Sequence, residues 1–240
     1  MSEHIVKAYD EDLMALSRKI AEMGGLTETM LSSAIKSLVR GDTDLAQRVI
    51  ETDSRLDVLE KDIEEKAILT IAKRQPLAVD LRMIVSSIRL ASDLERIGDL
   101  SKNIAKRVVA INGQFAPQKI VSGVVHMSDL ALDRLKRIID AYLQRDVQAA
   151  LDVWNKDEEI DHLYNSLFRE LLTYMMEDPR NIGFCAHLLF CAKNIERIGD
   201  HATNIAETIH YLVTGKSIVA DRPRPDSAYK PLDLSDTRSS

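Results

Sequence analysis

Apolar residues recur along this chain at helical spacing. In the first stretch they fall at Leu13, Leu16, Ile20, Met23, Met30 and Ala34. Gaps of three, four and seven trace one stripe down a helix. Gly41, Asp42 and Thr43 end that stripe and can cap the next helix. Leu45, Val49, Leu56, Leu59 and Ile63 carry a second stripe to about Arg74, and Pro76 then forces a turn. The pattern predicts a third helix from about Leu77 to Ile111, with Ile84, Ile88, Ala91, Leu94 and Ile104 inside and Asn112-Gly113 closing it. The plan then repeats. Helices are expected at about Gln118–Leu143, Val147–Met176 and Ile182–Val213, with Pro179 at the turn and Gly215 at the end. At 1.5 Å per residue such helices are about 40–55 Å long, and three in antiparallel order bury a common seam.

The repeat is also written in the residues. Ala91–Ala105, ASDLERIGDLSKNIA, aligns without gaps to Ala192–Ala206, AKNIERIGDHATNIA, and nine of the fifteen pairs are identical. Asp53-Ser-Arg-Leu-Asp57 matches Asp157-Glu-Glu-Ile-Asp161, and Pro76 and Pro179 occupy equivalent turns. Such runs at matching places identify an internal duplication. The fold expected is all-α: two tandem three-helix bundles, residues 1–114 and 115–216. Beyond them 217–240 reads as a disordered tail, because DRPRPDSAYKPLDLSDTRSS is polar and proline-punctuated and has no period. Gly24-Gly25 interrupts the first helix where the second copy has Ser128-Asp129, and is expected to be a packing notch or a kink.

Composition narrows the function. Aromatic residues are 5% of the chain, which favours helices over a sandwich or barrel. The formal charge is −6 and no run of Lys and Arg forms a phosphate-backbone track, which argues against nucleic acid. Cys185 and Cys191 lie six apart on one predicted helix and cannot bridge within it, so free thiols in a reducing cytoplasm are expected. The first residues carry no apolar signal core, and no segment approaches the ~18 consecutive apolar residues of a spanning helix. The expected location is cytoplasmic, at most peripheral to a membrane.

The residues that carry chemistry are acids. Asp53, Asp57, Glu95 and Asp99 in the first half correspond to Asp157, Asp161, Glu196 and Asp200 in the second. Each forms an i, i+4 pair, on one helix face ~6 Å apart. Asp57 and Glu95 each lie 19 residues from Pro76, and Asp53 and Asp99 each lie 23 from it. In the second half the distances from Pro179 are 18 and 17 for Asp161 and Glu196, and 22 and 21 for Asp157 and Asp200. Equal distance from a hairpin turn means equal height, so four carboxylates should converge twice. Such a cluster must protonate, pair with cations or bind metal. Arg96 and Arg197 can neutralise part of it. Asn103 and Asn204, at i+4 from the aspartates, can add amide oxygens. An oxygen-only shell suits Mg²⁺, Mn²⁺, Ca²⁺ or iron, and zinc alone is less natural. Gly98 and Gly199, inside the motifs, point to close approach by a neighbouring helix or the ion shell. Asp129 and Asp133 form a further acid pair with no match in the first copy.

Two other functions compete. Glu159–His162 and Glu207–His210 have the Glu-x-x-His spacing of ferritin-like di-iron oxidases. Their distances from Pro179 differ by ~11–14 residues, or ~16–20 Å, too far for one centre in a simple hairpin. A metal-free helical scaffold would also fit. No phosphate loop, Ser-His-Asp set or Cys-His pair is identifiable, so the chain reads as a non-enzyme.

The two ERIGD runs at Glu95–Asp99 and Glu196–Asp200, together with AKRQPLAVDLR at Ala72–Arg82, resemble the PhoU family from about Tyr9 to Gly215. The resemblance implies two three-helix bundles whose acidic motifs hold multinuclear metal clusters. It also implies negative regulation of phosphate uptake and phosphate-starvation signalling. The implied partners are the ATPase of the phosphate ABC transporter, the membrane sensor histidine kinase and a second copy of the chain, with membrane association through those partners.

Overall fold

A computed structural model describes residues 2–111 and 118–218. The expected closure at Asn112-Gly113 and the tail from Asp221 lie outside the described residues. Within them the chain forms α1 (Ser2–Arg40), α2 (Thr43–Arg74), α3 (Ala78–Ile111), α4 (Gln118–Gln144), α5 (Val147–Trp154), α6 (Glu158–Glu177) and α7 (Ile182–Thr214), with one 3-10 turn at Pro179–Asn181.

The ends follow from local chemistry. Asp42 caps α2 by accepting from the Leu45 N–H at 2.8 Å, and Lys73 and Arg74 sit in its last turn against the helix dipole. Asp146 caps α5 in the same way through the Ala149 N–H at 3.0 Å. The α1–α2 turn passes through Gly41 at φ 64, a left-handed conformation that glycine adopts without steric cost.

One boundary departs from expectation. Val147–Met176 is not one helix but two, broken at Asn155–Asp157. The break frees backbone carbonyls, and a buried arginine takes them up. Arg134 of α4, 3% exposed, donates to the carbonyls of Lys156 and, at 3.4 Å, of Asp157. Its guanidinium also meets the Glu159 carboxylate at 3.3 Å. Arg134 stands where the first copy has Met30, a fully buried apolar side chain. A hydrophobic stripe does not reveal such an exchange.

Helices α1–α3 pack together, as do α4–α7, and the two halves then pack on each other. The central pair is α3 and α7, which run antiparallel: Arg89 reaches the Tyr211 ring, and Arg107 lies over Phe190. Between them His201 Nδ1 lies 2.9 Å from Asp93 Oδ1. The second contact is α1 on α4, and there the Gly24 expectation resolves. α1 continues unbroken, and a Cβ on Gly24 would press into Ile139, so the glycine is a notch. One hydrophobic core runs through both halves, from Leu16, Ile20 and Met23 to Ile195, Ile205 and Ile209. Burying each such side chain contributes roughly 1.5–3 kcal/mol. Both cysteines are buried and free. Among the described residues no helix is long and apolar enough to cross a membrane.

Candidate functional site

Each hairpin seam carries its acids at one level, as counting from the prolines predicts. In the first half Lys102 Nζ of α3 donates to Asp53 Oδ2 of α2 and to Asp99 Oδ1 of its own helix, each at 2.5 Å. Asp53 is buried and Lys102 is 19% exposed. Burial pulls the Lys102 ammonium down, but the bonds to Asp53 and Asp99 and their charges outweigh it and hold it above its ordinary value. Glu95 is pushed up to about 7, first by burial and then by Asp99, with Glu60 and Asp57 adding and Arg96 opposing. Arg96 lies 3.6 Å from both Glu95 and Asp99. Glu60 belongs to this group. Burial and then the Glu64 charge raise it, and a hydrogen bond to Ser92 opposes.

The second seam has the same acids in different company. Asp157 is buried and accepts from Thr203 Oγ1 at 2.7 Å. Asp161 is pushed up to about 6 by burial, then by Glu196, Asp157 and Asp200, with Lys193 opposing. Glu196 is raised by burial against the pull of Lys193, whose Nζ donates to its Oε1 at 2.6 Å. The other oxygen, Glu196 Oε2, is buried without a hydrogen-bond partner. Lys193 also stands 5.3 Å from the Tyr164 ring.

Aligning the repeats shows what has been exchanged. Lys102 corresponds to Thr203, Ser92 to Lys193 and Glu60 to Tyr164. Each seam thus has one lysine, at a different level. Sequence reading finds the acids and Arg96 but misses Lys102, Lys193 and Glu60. The spacing that would have found the lysines is i, i+3, from Asp99 to Lys102 and from Lys193 to Glu196.

The accessory residues divide. Gly98 and Gly199 are notches for the neighbouring helix. A Cβ at Gly98 would overlap Leu56 Cδ1, and one at Gly199 would come within 3.1 Å of Ile160 Cδ1. The Asn204 amide faces Asp93 of the other half at 3.5 Å, and Asn103 is half-buried on α3. Asp133 pairs with Arg137 at 2.8 Å, and Asp129 lines a groove between α1 and α4. The Glu-x-x-His pairs serve separate ends. Glu207 accepts from the Trp154 indole at 3.0 Å, His210 meets the Lys216 carbonyl at 2.9 Å, and His162 is exposed beside Glu158.

Among the described residues, no three carboxylate, imidazole or thiol groups converge on one point as they stand. The donor chemistry of the second seam nevertheless fits a hard cation: four carboxylates, two of them raised by crowding and burial, and one buried oxygen without a partner. In the first seam an ammonium already joins the two helices.

The model of the PhoU domain matches this chain twice, at residues 20–108 and 124–209, which are its two helical repeats. The chain belongs to the PhoU family. It is 58% identical to the phosphate-specific transport system accessory protein PhoU homolog of Rhizobium meliloti, over 93% of this chain and 94% of that one. It is 48% identical to the homolog of Caulobacter vibrioides, over 94% and 98%. Its fold is similar to crystallised PhoU from Pseudomonas aeruginosa, with a TM-score of 0.83 and 36% identity over 87% of this chain and all of that one. The regulatory PhoU of the Streptococcus pneumoniae phosphate transport system gives 0.80 and 29%, over 88% and 99%. Both PhoU domains of this chain hold their ERIGD runs near the middle of the antiparallel α3–α7 pair, at a common level along it.

Proposed function

We propose that this chain is a metal-binding regulatory adaptor of phosphate transport. It restrains phosphate uptake and phosphate-starvation signalling when phosphate is ample, by docking on the ATPase of the phosphate ABC transporter and on the sensor histidine kinase. The observation that carries this reading is 58% identity over almost the whole chain to a phosphate transport accessory protein. Two features of the molecule support it. Asp157, Asp161, Glu196 and Asp200 would hold a cation such as Mg²⁺, Mn²⁺ or iron, whose charge offsets the repulsion among the carboxylates. Exposed apolar side chains cluster toward the hairpin tips: Leu77 and Val79 at the first, and Phe168, Leu172, Met176 and Ile182 at the second. Phe168, Leu172 and Met176 are spaced i, i+4, i+8, a stripe suited to a partner or a second copy. The location is the cytoplasmic face of those membrane complexes. Deletion of the gene should raise an alkaline phosphatase reporter in high-phosphate medium, and complementation should restore repression. A reporter that stays repressed in the deletion strain, with no paralogue present, sinks the regulatory assignment.

A further inference from the structure

The turn after the first helix is built alike in both repeats, and Gly41-Asp42 of one corresponds to Arg145-Asp146 of the other. The Asp42 N–H donates to the Ser37 carbonyl at 3.0 Å, and the Asp146 N–H to the Ala141 carbonyl at 2.9 Å. Gly41 stands at φ 64 and Arg145 at φ 54. This left-handed conformation suits glycine and is disfavoured for any residue with a Cβ. The second repeat thus keeps an arginine where the shared backbone favours glycine, and strain of this kind collects at functional sites. We propose that Arg145, with Arg82 and Lys216, forms a binding site for a multivalent phosphoryl anion at the end of the molecule where α7 terminates.

The fold brings the three cations to one place. Four helices close a ring, with α1 on α3, α3 on α7, α7 on α4 and α4 on α1. At one end of that ring Arg145 Nη2 lies 3.1 Å from Sδ of Met83, the residue after Arg82. Arg82 itself reaches the last turn of α7, where a Cβ on Gly215 would come within 2.9 Å of its Nη1. Register brings Arg145 to the same turn. Trp154 bonds to Glu207 and Asp157 to Thr203, so α5 runs antiparallel to α7. Arg145 is nine residues before Trp154 and Lys216 nine after Glu207, which sets them near one level.

These donors lack acceptors of matching strength. Among the described residues the one hydrogen bond of the Arg145 guanidinium goes to the Met83 thioether, a weak acceptor. Arg82 Nε is buried without a partner. Ser86 Oγ, one turn along α3 on the same face as Arg82, is fully buried and also has none. Carboxylates at this end are engaged elsewhere. Asp146 accepts from the Ala149 N–H, Asp12 meets Lys66 and Arg74, and Asp80 faces Tyr9. A guanidinium presents parallel N–H donors that match phosphoryl oxygens. Three positive charges at one helix end favour an anion of more than one charge.

The test is equilibrium dialysis of the full chain, freed of metal on a chelating resin, against labelled inorganic phosphate and pyrophosphate. The unmodified protein should bind pyrophosphate saturably, and phosphate more weakly in competition with it. Arg145→Gly and Arg82→Gln each remove a charged donor and should weaken binding at least about tenfold. The control is Arg180→Gln, before the opposite end of α7, which should leave affinity unchanged. Arg145→Gly installs the residue of the first repeat, so its Tm without ligand should equal or exceed that of the unmodified protein. An arginine kept only for structure would instead lower Tm on replacement and leave affinity alone. Circular dichroism reports which variants fold, and either folded variant carries the test. Absence of saturable binding of both anions overturns the proposal, as does unchanged affinity in the folded variants. Capture of a polyglutamate peptide with no binding of either anion also overturns it, and assigns the patch to an acidic protein partner.

Discussion

The first and second repeats share a plan, and they differ in where each keeps a buried or partly buried positive charge. In the first, Met30 fills the space under Gly98, and the cation, Lys102, lies within the acid seam. In the second, Arg134 occupies the equivalent space under Gly199, and a hydroxyl takes the lysine's place. Arg134 goes with a broken helix and Met30 with a continuous one. Duplication gave both halves the same acids, and exchange of a few neighbours gave those acids different environments.

The strongest way to break this comparison is to exchange the two residues. Met30→Arg places a guanidinium in a fully buried site where α2 has no break and no free carbonyls to receive it. An unpaired buried charge of this kind costs about 3–5 kcal/mol. Arg134→Met removes the charged donor from the carbonyls of Lys156, which keeps the Glu159 N–H at 3.2 Å, and of Asp157, and should cost about 1–3 kcal/mol. Urea melts of the two variants measure this ordering. Equal losses would show that the helix break does not determine which side chain each half needs.

Much of the design is legible in the residues alone. The apolar stripes mark six helical regions, and counting from Pro76 and Pro179 sets the acids at common heights. Those readings hold because they depend on period and length, which neighbouring residues do not alter. The helix break at Asn155–Asp157 is hidden because its cause lies on another helix, in Arg134. The partners of the acids are hidden because Lys102 looks like any solvated lysine until α2 is placed beside it. Asn204 looks like a ligand from its i+4 spacing, but its amide meets Asp93 across the α3–α7 contact, which a single hairpin does not contain.

A smaller effect separates the two glycine notches. Gly98→Ala drives a methyl into Leu56, and overpacking of this kind costs about 1–3 kcal/mol. Gly199→Ala meets Ile160 at 3.1 Å, so a shift of a few tenths of an ångström relieves it. Alanine also gains about 1 kcal/mol of helix propensity over glycine. Gly199→Ala should therefore be near neutral, and Gly98→Ala clearly destabilised. Thermal melts of the two variants side by side would sharpen the contrast. A larger loss at Gly199 would place the tighter packing in the wrong repeat.

The smallest effect is the pH response of the metal-free protein. Glu95 is raised to about 7 and Asp161 to about 6, both well above unfolded carboxylates near 4. For a raised acid the folded state binds the extra proton. Its stabilising contribution is full below the unfolded value and is lost as pH rises through the folded one. Between about pH 4.5 and 7 for Glu95, and about 4 and 6 for Asp161, rising pH should therefore lower stability through these groups. Glu95→Gln keeps a neutral side chain at all pH and should flatten the upper part of that window. Asp161→Asn should flatten only the lower part, so the first repeat responds at higher pH than the second. The check is Tm against pH in EDTA for the three proteins. Identical pH profiles for all three would show that neither seam holds its acid in the protonated form. Added Mn²⁺ should oppose the trend wherever it binds, because the metal selects the ionised carboxylates.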